Sequence, residues 1–464
     1  MKPANKTSRR KFLGNTAAIG AVGALGASQL LKSCSGGTSE TGKIVLPEFM
    51  NQAPDGVPLK AGVIGCGGRG TGATLNFLDA GPNLSVVAVA DLFQDRVDKF
   101  RTTLKEEKGI DLDDSQCFTG FDAYKRLLEI EEINYVIMAT PPYFRPEQFQ
   151  AAVEAQKNVF MEKPVTVDGP STRRMIDLAK KADEKSLKVG VGLMVRHCLE
   201  RKALLQRIED GEIGDIIAMR GYRMSGRSCT CGPPPAGQSE VMFQVRNFHK
   251  FLWASGGMYS DFYIHQIDEL SWMKGDWPIS AHAVGGRHYR ENFVDQNFDT
   301  YSVEYTYPDG TKLFYDGRAM TGCHNEFSSF VHGTKGSAVV STAGHVPGRT
   351  RTYKGHNMTK ENLLWQTERQ PNPYQLEWND LIDSIRNDTP YNEAERGAIA
   401  SLVTSMGRMA AHTGRHITYD EILNCDHEFA PDADKLTEDG PAPVTFANGK
   451  YPWPTPGIIT DREY

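Results

Sequence analysis

Little in this chain points to nucleic acid, a membrane span or a metal cage. Its 52 Lys and Arg are outnumbered by 58 Asp and Glu, the net charge is −6, and the basic residues form no patch; nucleic acid is therefore not an expected partner. Beyond Leu31 no apolar run is long enough to span a bilayer. There is no H-E-x-x-H and no cluster of Cys and His, so no metal site is expected. Cysteine is sparse and lacks a repeated C-x-x-C spacing. Of the eight, seven remain beyond Cys34, an odd number, and only Cys229 and Cys231 lie close together. Two free or separately paired thiols fit that loop better than a strained local bridge. What remains is a soluble globular composition, 39% hydrophobic and 24% charged, over 464 residues. That length favours two domains with appendages.

Residues 1–34 read as an address. Ser8-Arg9-Arg10-Lys11-Phe12-Leu13, followed by a mildly apolar Ala/Gly-rich segment to Leu31, resembles a twin-arginine export signal. Leu31-Lys32-Ser33-Cys34 resembles a lipobox with Cys34 as the lipidated residue, although Lys32 is an unusual occupant. Residues 35–56 are small and polar, suited to a tether. The expectation is an exported protein of the periplasm or cell envelope, touching the membrane only through a lipid.

Leu59 to Asp91 organises the rest: an apolar strand, Gly65-Cys66-Gly67-Gly68-Arg69-Gly70, a helix, and a second apolar strand ending in an acid. Gly65 suits the tight turn, Gly67 a close approach of backbone to pyrophosphate, and Gly70 the packing of helix on sheet. Gly68 and Arg69 complete the loop at the helix N-terminus, whose free N–H groups favour an anion. Asp91, twenty-one residues past Gly70, stands where a carboxylate takes the adenosine ribose hydroxyls. A carboxylate there favours NAD over NADP, a preference that Arg96 and Lys99 nearby would blunt.

Alternation of strand and helix continues to Gly192. Tyr135–Ala139 is a continuous apolar strand ending in Thr140-Pro141-Pro142, and Asn158–Met161 ends in Glu162-Lys163-Pro164. Ligands of open α/β sheets bind at such carboxyl edges. The glycine loop, Asp91, Ala139-Thr140-Pro141 and Glu162-Lys163-Pro164, in this order, resemble the Gfo/Idh/MocA family of sugar and polyol oxidoreductases over roughly Leu59 to Arg318. The resemblance implies a Rossmann domain (57–193), then an α+β domain (194–415) with an open, mostly antiparallel sheet, and leaves 416–464 as a wrapping tail. It also implies cofactor contacts from Thr140, Pro141, Glu162 and Lys163, with Lys163 beside the nicotinamide and the reacting hydroxyl. Family members often carry histidine soon after Thr-Pro; here the chain reads Phe144-Arg145-Pro146.

In the second domain a loop is expected from Ser225 to about Val245, and Gly256-Gly257 open a helix to Met273 on which Asp261, His265 and Asp268 share a face. Oxidising a carbinol removes hydride from carbon and a proton from oxygen, so a base must reach that oxygen. Histidine suits the task, and a carboxylate one turn away can fix its tautomer. In the family's polyol dehydrogenases the E-K-P lysine works with an aspartate and a histidine four residues apart, an arrangement that Lys163, Asp261 and His265 match. Arg196 and His197 are candidates for sugar hydroxyls or for a structural role. Trp253 and Tyr259 are candidates for stacking on a sugar or for the core.

Export leaves little free NAD(H) to exchange. The cofactor is therefore expected to be tightly bound and restored within each cycle, in an enzyme acting on a sugar or glycoside hydroxyl. Two other readings stand beside it: a redox-neutral glycosidase working by oxidation, elimination and reduction, and a lipid-anchored sugar-binding protein with structural NAD. An open sheet face points to a homo-oligomer.

Overall fold

The computed structural model describes residues 50–464 apart from 291, 343, 347 and 369. The export signal and Cys34 lie outside the described residues. Six strands, β1 (Leu59–Ile64), β2 (Leu84–Asp91), β3 (Cys117–Thr119), β4 (Tyr135–Met138), β5 (Asn158–Met161) and β6 (Val189–Val191), form a parallel sheet in the order β3-β2-β1-β4-β5-β6. The order reverses between β1 and β4, which opens a crevice at the carboxyl ends of the strands. Helices α1 (Gly68–Asp79), α2 (Gln94–Lys108), α3 (Ala123–Leu128), α4 (Arg145–Glu154) and α5 (Gly169–Glu184) make the connections. All four residues of β4 are buried, because helices cover both faces of such a sheet.

The second sheet has nine strands: β7 (Ile216–Ser225), β8 (Ser280–Gly286), β9 (Thr300–Thr306), β10 (Lys312–Ala319), β11 (Glu326–Gly333), β12 (Gly336–Ser341), β13 (Arg351–Lys354), β14 (Leu363–Gln366) and β15 (Ile417–Thr418). Their order is β14-β13-β12-β11-β7-β10-β9-β8-β15. Only β7 and β10 pair in parallel. The last three strands are too short to show alternation in the sequence. The remaining helices are α6 (Leu199–Glu209), α7 (Glu240–Arg246), α8 (Leu252–Ser255), α9 (Gly257–Lys274), α10 (Pro373–Arg386), α11 (Ala394–Thr413) and α12 (Tyr419–Asn424). Helix α7 falls inside the expected 225–245 loop: Ser239 caps it by accepting the Met242 N–H, and Val241, Phe243 and Val245 are buried.

Helix α9 lies between the two sheets, and only Phe262, Trp272 and Lys274 along it escape burial. Tyr259, Tyr263, Ile267 and Leu270 join the core of the nine-stranded sheet, while Ile264 joins that of the Rossmann sheet. Consecutive left-handed residues at Gly256 (φ +73°) and Gly257 (φ +69°) aim the chain into it. Helix α10 returns to the first domain, where Trp378 packs on Phe160 with ring centroids 4.0 Å apart. Helix α11 serves both cores, with Ala394 and Ala398 on one and Leu402 and Met406 on the other. Trp253 and Tyr259 are fully buried, so packing is their role and neither stacks on a ligand.

The tail wraps its own body. Phe429, Val444 and Tyr451 share a core with Val241, Phe243 and Phe251; Gln244 donates to the Val444 carbonyl, and the Phe446 N–H donates to Glu240 Oε2 at 3.1 Å. Near its end Glu463 is buried against α11. Arg408 Nη2 lies 2.8 Å from Glu463 Oε1, and His412 Nδ1 lies 2.6 Å from Oε2. Arg408 also donates to the Val167 carbonyl and Ser260 Oγ, so it ties both domains to the tail. Burial alone would raise the Glu463 carboxyl, but Arg408 and His412 hold it well below the usual range. Replacing Glu463 by Ala leaves Arg408 buried without its carboxylate, and denaturant unfolding is expected to show a loss of about 3–5 kcal/mol. An Asp461→Ala control on the exposed neighbour should stay within about 0.5 kcal/mol of the parent.

Candidate active site

At the glycine loop, Gly65 has φ +101°, and a Cβ there would fall 2.6 Å from the Ala139 carbonyl carbon; one on Gly70 would fall 1.9 Å from the Gly65 oxygen. A Cβ on Gly67 would meet nothing nearer than 4.0 Å, and one on Gly68 nothing at all within that distance. The loop is thus packed on its inner side and open on its outer side. Helix α1 begins at the open side without a capping side chain or an acid in its first turn, so its N–H groups are free for an anion. Asp91 anchors the loop: Oδ2 accepts the Cys66 N–H at 2.7 Å and Oδ1 the Phe93 N–H at 2.9 Å. Beside it a cleft of about 530 Å³ is lined by Asp91, Phe93, Phe121, Thr140, Pro141, Phe144 and, from α7, Val245. These features fit a dinucleotide: a pyrophosphate at the loop, and adenosine in a slot with a carboxylate and aromatic walls.

Helix α7 borders that slot through Val245. Arg246 makes a two-pronged contact with Asp95 at 2.7 and 2.9 Å, and its guanidinium lies 3.9 Å from the centre of the Phe93 ring. Arg69 reaches across the loop to Glu162, with Nε 2.5 Å from Oε1, and rests over Tyr374. Arg145 is fully buried and donates to the carbonyl oxygens of Thr140 and Glu162. It therefore ties together the ends of β4 and β5, a part that its sequence position does not disclose. Thr140 Oγ1 donates to Gln148 at 2.5 Å.

Because α9 is buried all round, each polar group on it needs a partner. Lys163 Nζ donates to the Asp261 carbonyl at 2.7 Å and sits 3.4 Å from Asp261 Oδ1. His249 Nδ1 lies 2.5 Å from Asp261 Oδ2. Gln266 spans the Ser328 carbonyl and Tyr315; Glu269 takes Arg201 and Ser329. The Tyr263 hydroxyl is an exception, and so is His265. The histidine is buried, its Nδ1 has no protein partner, and its ring sits 4.2 Å, centre to centre, from that of His345.

Lys163, Asp261 and His265 are thus brought together, with one change in how they are wired. Asp261 pairs with Lys163 and His249, and it does not hold the His265 tautomer. Burial works to raise the Asp261 carboxyl, but Lys163 and His249 outweigh it and hold it at about 2. Burial, with the charges of Lys163 and Arg223 adding to it, pushes His265 well below 6.5 and His345 likewise. His249, His345 and Arg223 carry no sequence motif; each arrives from a separate segment.

Arg196 and His197 are not brought to the cleft. Arg196 forks onto Asp268 at 2.7 to 3.1 Å. His197 lies between Asp380 at 2.6 Å and Glu393 at 3.5 Å. With their polar atoms taken by carboxylates, both are structural, which corrects their reading as substrate contacts. The seven described cysteines are free thiols. Among the described residues no group of three His, Cys, Asp or Glu side chains is placed to hold a metal.

Comparison with known proteins agrees with this architecture. The family model described as "Oxidoreductase family, NAD-binding Rossmann fold" matches residues 59–192, and the "GFO/IDH/MocA C-terminal domain" matches residues 202–339. The chain is 24% identical to myo-inositol 2-dehydrogenase of Thermotoga maritima over 79% of this chain and 100% of that protein. It is 25% identical to scyllo-inositol 2-dehydrogenase (NAD(+)) of Bacillus subtilis over 62% and 75%. With dTDP-3,4-didehydro-2,6-dideoxy-alpha-D-glucose 3-reductase of Actinomadura kijaniata it shares 27% identity, over 40% of this chain but only half of that protein. In fold it is similar to an aldose-aldose oxidoreductase from Caulobacter crescentus, with TM-score 0.61 and 16% identity over 78% and 100% of the two chains. Scyllo-inositol dehydrogenase from Lactobacillus casei, solved with NAD(H) and scyllo-inositol, gives TM-score 0.57 and 20% identity over 78% and 100%.

Asp261 also makes stability depend on pH. Its folded pKa of about 2 lies below the roughly 3.9 of an unfolded aspartate. The stabilisation, on the order of 2–3 kcal/mol, is therefore complete above about pH 4 and is lost as pH falls toward the folded value. Thermal melts from pH 5 to pH 2 should show the Asp261→Asn variant with a shallower acid slope than the parent. Parallel slopes would mean that the pairing with Lys163 is absent in solution.

Proposed function

Since the chain belongs to the Gfo/Idh/MocA oxidoreductases, we propose that it oxidises a secondary hydroxyl of a sugar or glycoside against a nicotinamide cofactor, NAD in preference to NADP. The observation that carries this is the meeting of Lys163, at the carboxyl end of β5, with Asp261, one helical turn from His265 on α9. The glycine loop and Asp91 would hold the dinucleotide, whose nicotinamide would supply the hydride acceptor for the carbinol carbon. The protein does the rest. Lys163 has three donors, of which Asp261 uses two; the third holds the substrate oxygen and stabilises negative charge as its proton leaves. His265, kept neutral by burial and by nearby cations, supplies a neutral imidazole for that proton. His249 is 40% exposed and touches Asp261, giving the buried carboxylate a route to solvent.

Tight retention of the cofactor is supported by Val245 of α7 in the wall of the slot and by the Arg246–Asp95 contact that holds α7 there. The export reading rests on Arg9-Arg10 and Cys34 in the sequence alone. Together they favour a cofactor loaded before export and restored in each cycle by a second sugar or keto-sugar. A homo-oligomer formed through the outer face of the nine-stranded sheet belongs to the same reading.

Incubating the purified protein with glycosides should yield a keto-sugar detectable by mass spectrometry, and Lys163→Ala should lower its rate by about 10²–10⁴-fold. Absence of an oxidised product with every acceptor tried would defeat the reading. Denaturing the protein as purified should release NAD or NADH. An Arg246→Ala variant, lacking the Asp95 clamp, should lose that nucleotide on dialysis while the parent keeps it.

A further inference from the structure

The charges on and around α9 pair off almost completely. Asp261 has Lys163, Asp268 has Arg196 and Glu269 has Arg201, while Glu162 has Arg69. Arg223, on β7, is left over. Among the described residues no carboxylate lies within ion-pair distance of it, and the neighbours it does have are uncharged or aromatic. Nη1 sits 3.3 Å from His345 Nε2, its guanidinium lies 3.9 Å from the centre of the Phe327 ring, and Phe262 lies 5.8 Å away.

This half-buried cation stands at the active site. His345, which it touches, packs on His265 with ring centres 4.2 Å apart, and Phe262 follows Asp261 directly in α9. Stacking covers the faces of the guanidinium and leaves its N–H edge, where the protein uses one of five donors. A planar edge of this kind matches the paired oxygens of a carboxylate or sulfate better than a single hydroxyl. Removing a cation partly from water without an internal counter-ion is costly, and a ligand that brings the counter-ion offsets that cost. Both imidazoles beside it are held neutral, in part by the charge of Arg223 itself, so neither competes for the anion.

We propose that Arg223 is a specificity-determining residue and that the substrate is an acidic saccharide, one whose carboxylate or sulfate ester sits on the Arg223 edge while the reacting hydroxyl meets Lys163 and His265. The inference rests on the oxidoreductase reading above and narrows its substrate class.

The test uses the holoenzyme with three probes: glucuronate, glucose 6-sulfate and glucose. Kd is read by calorimetry and kcat/KM by reduction of the bound cofactor. The expected result is a preference of about tenfold or more for at least one acidic probe over glucose. In Arg223→Gln that ratio should fall to about one, and in Arg223→Lys, which keeps the charge without the fork, it should fall in between. Comparison of the two acidic probes separates a uronate from a sulfated sugar. Equal use of glucose and both acidic probes, or a preference that survives in Arg223→Gln, overturns the proposal and leaves the oxidoreductase reading standing. Failure of all three probes to bind or to change the cofactor overturns both.

Discussion

Burial of helix α9 on every side is the constraint on which the rest depends. A helix with no solvent-facing side cannot leave carboxylates, amides or imidazoles unpaired without a penalty of a few kcal/mol each, yet α9 carries Asp261, His265, Gln266, Asp268 and Glu269 in a single stretch. The chain meets this by drawing partners from every layer around it: Lys163 from the end of β5, Arg196 and Arg201 from the segment after β6, and Tyr315 and Ser329 from the large sheet. Of these bonds, the one from Lys163 to the Asp261 carbonyl also joins the two domains. The candidate acid–base groups thus sit on a helix whose partners fix its place against both sheets. His265 Nδ1 and the Tyr263 hydroxyl stay without a protein partner in this network.

The cofactor slot depends on a longer chain of contacts. Its floor and turn come from the first domain, but α7, which adds Val245 to its wall, is an inclusion between β7 and α9. A seven-residue helix has no stability of its own. It is held by Arg246 on Asp95, by Gln244 on the Val444 carbonyl and by the Phe446 N–H on Glu240. The tail that supplies the last two is itself pinned by Glu463 between Arg408 and His412. A buried ion pair at the far C-terminus therefore bears on the mouth of the adenosine slot, through contacts that can be followed one at a time.

The first domain was legible because its signals are local. Glycine spacing, an acid at the end of the second strand and continuous apolar strands all lie within short windows, and the Gly256-Gly257 turn announced α9 in the same way. What escaped was decided by long-range pairing. Arg196 and His197 follow the last Rossmann strand, as substrate contacts would, but their partners lie 72 and 183 residues away, and no window of sequence reveals that those carboxylates take them first. His249, His345 and Arg223 come from a 3₁₀ turn, a loop and a strand with no shared motif. Arg145 occupies a position where histidine was the family expectation, and only the structure shows its guanidinium bridging two strand ends. The short strands β13 and β14 are hidden in the sequence for a different reason: four residues each cannot display a period.

A difficulty in the acid–base assignment is resolved by the same electrostatics. A histidine pushed well below its ordinary pKa is reliably neutral, and so free to accept a proton, but it is a weak base. The depression at His265 has two sources, burial and the positive charges of its neighbours. Burial is permanent; the second source is not. An anionic group seated on Arg223 neutralises one of those charges and raises the proton affinity of the imidazole beside it, just as Lys163 begins to stabilise negative charge on the substrate oxygen. On the proposal of an acidic substrate, His265 stays unprotonated until the anion is seated, and the arriving substrate strengthens it as the base of the proposed reaction.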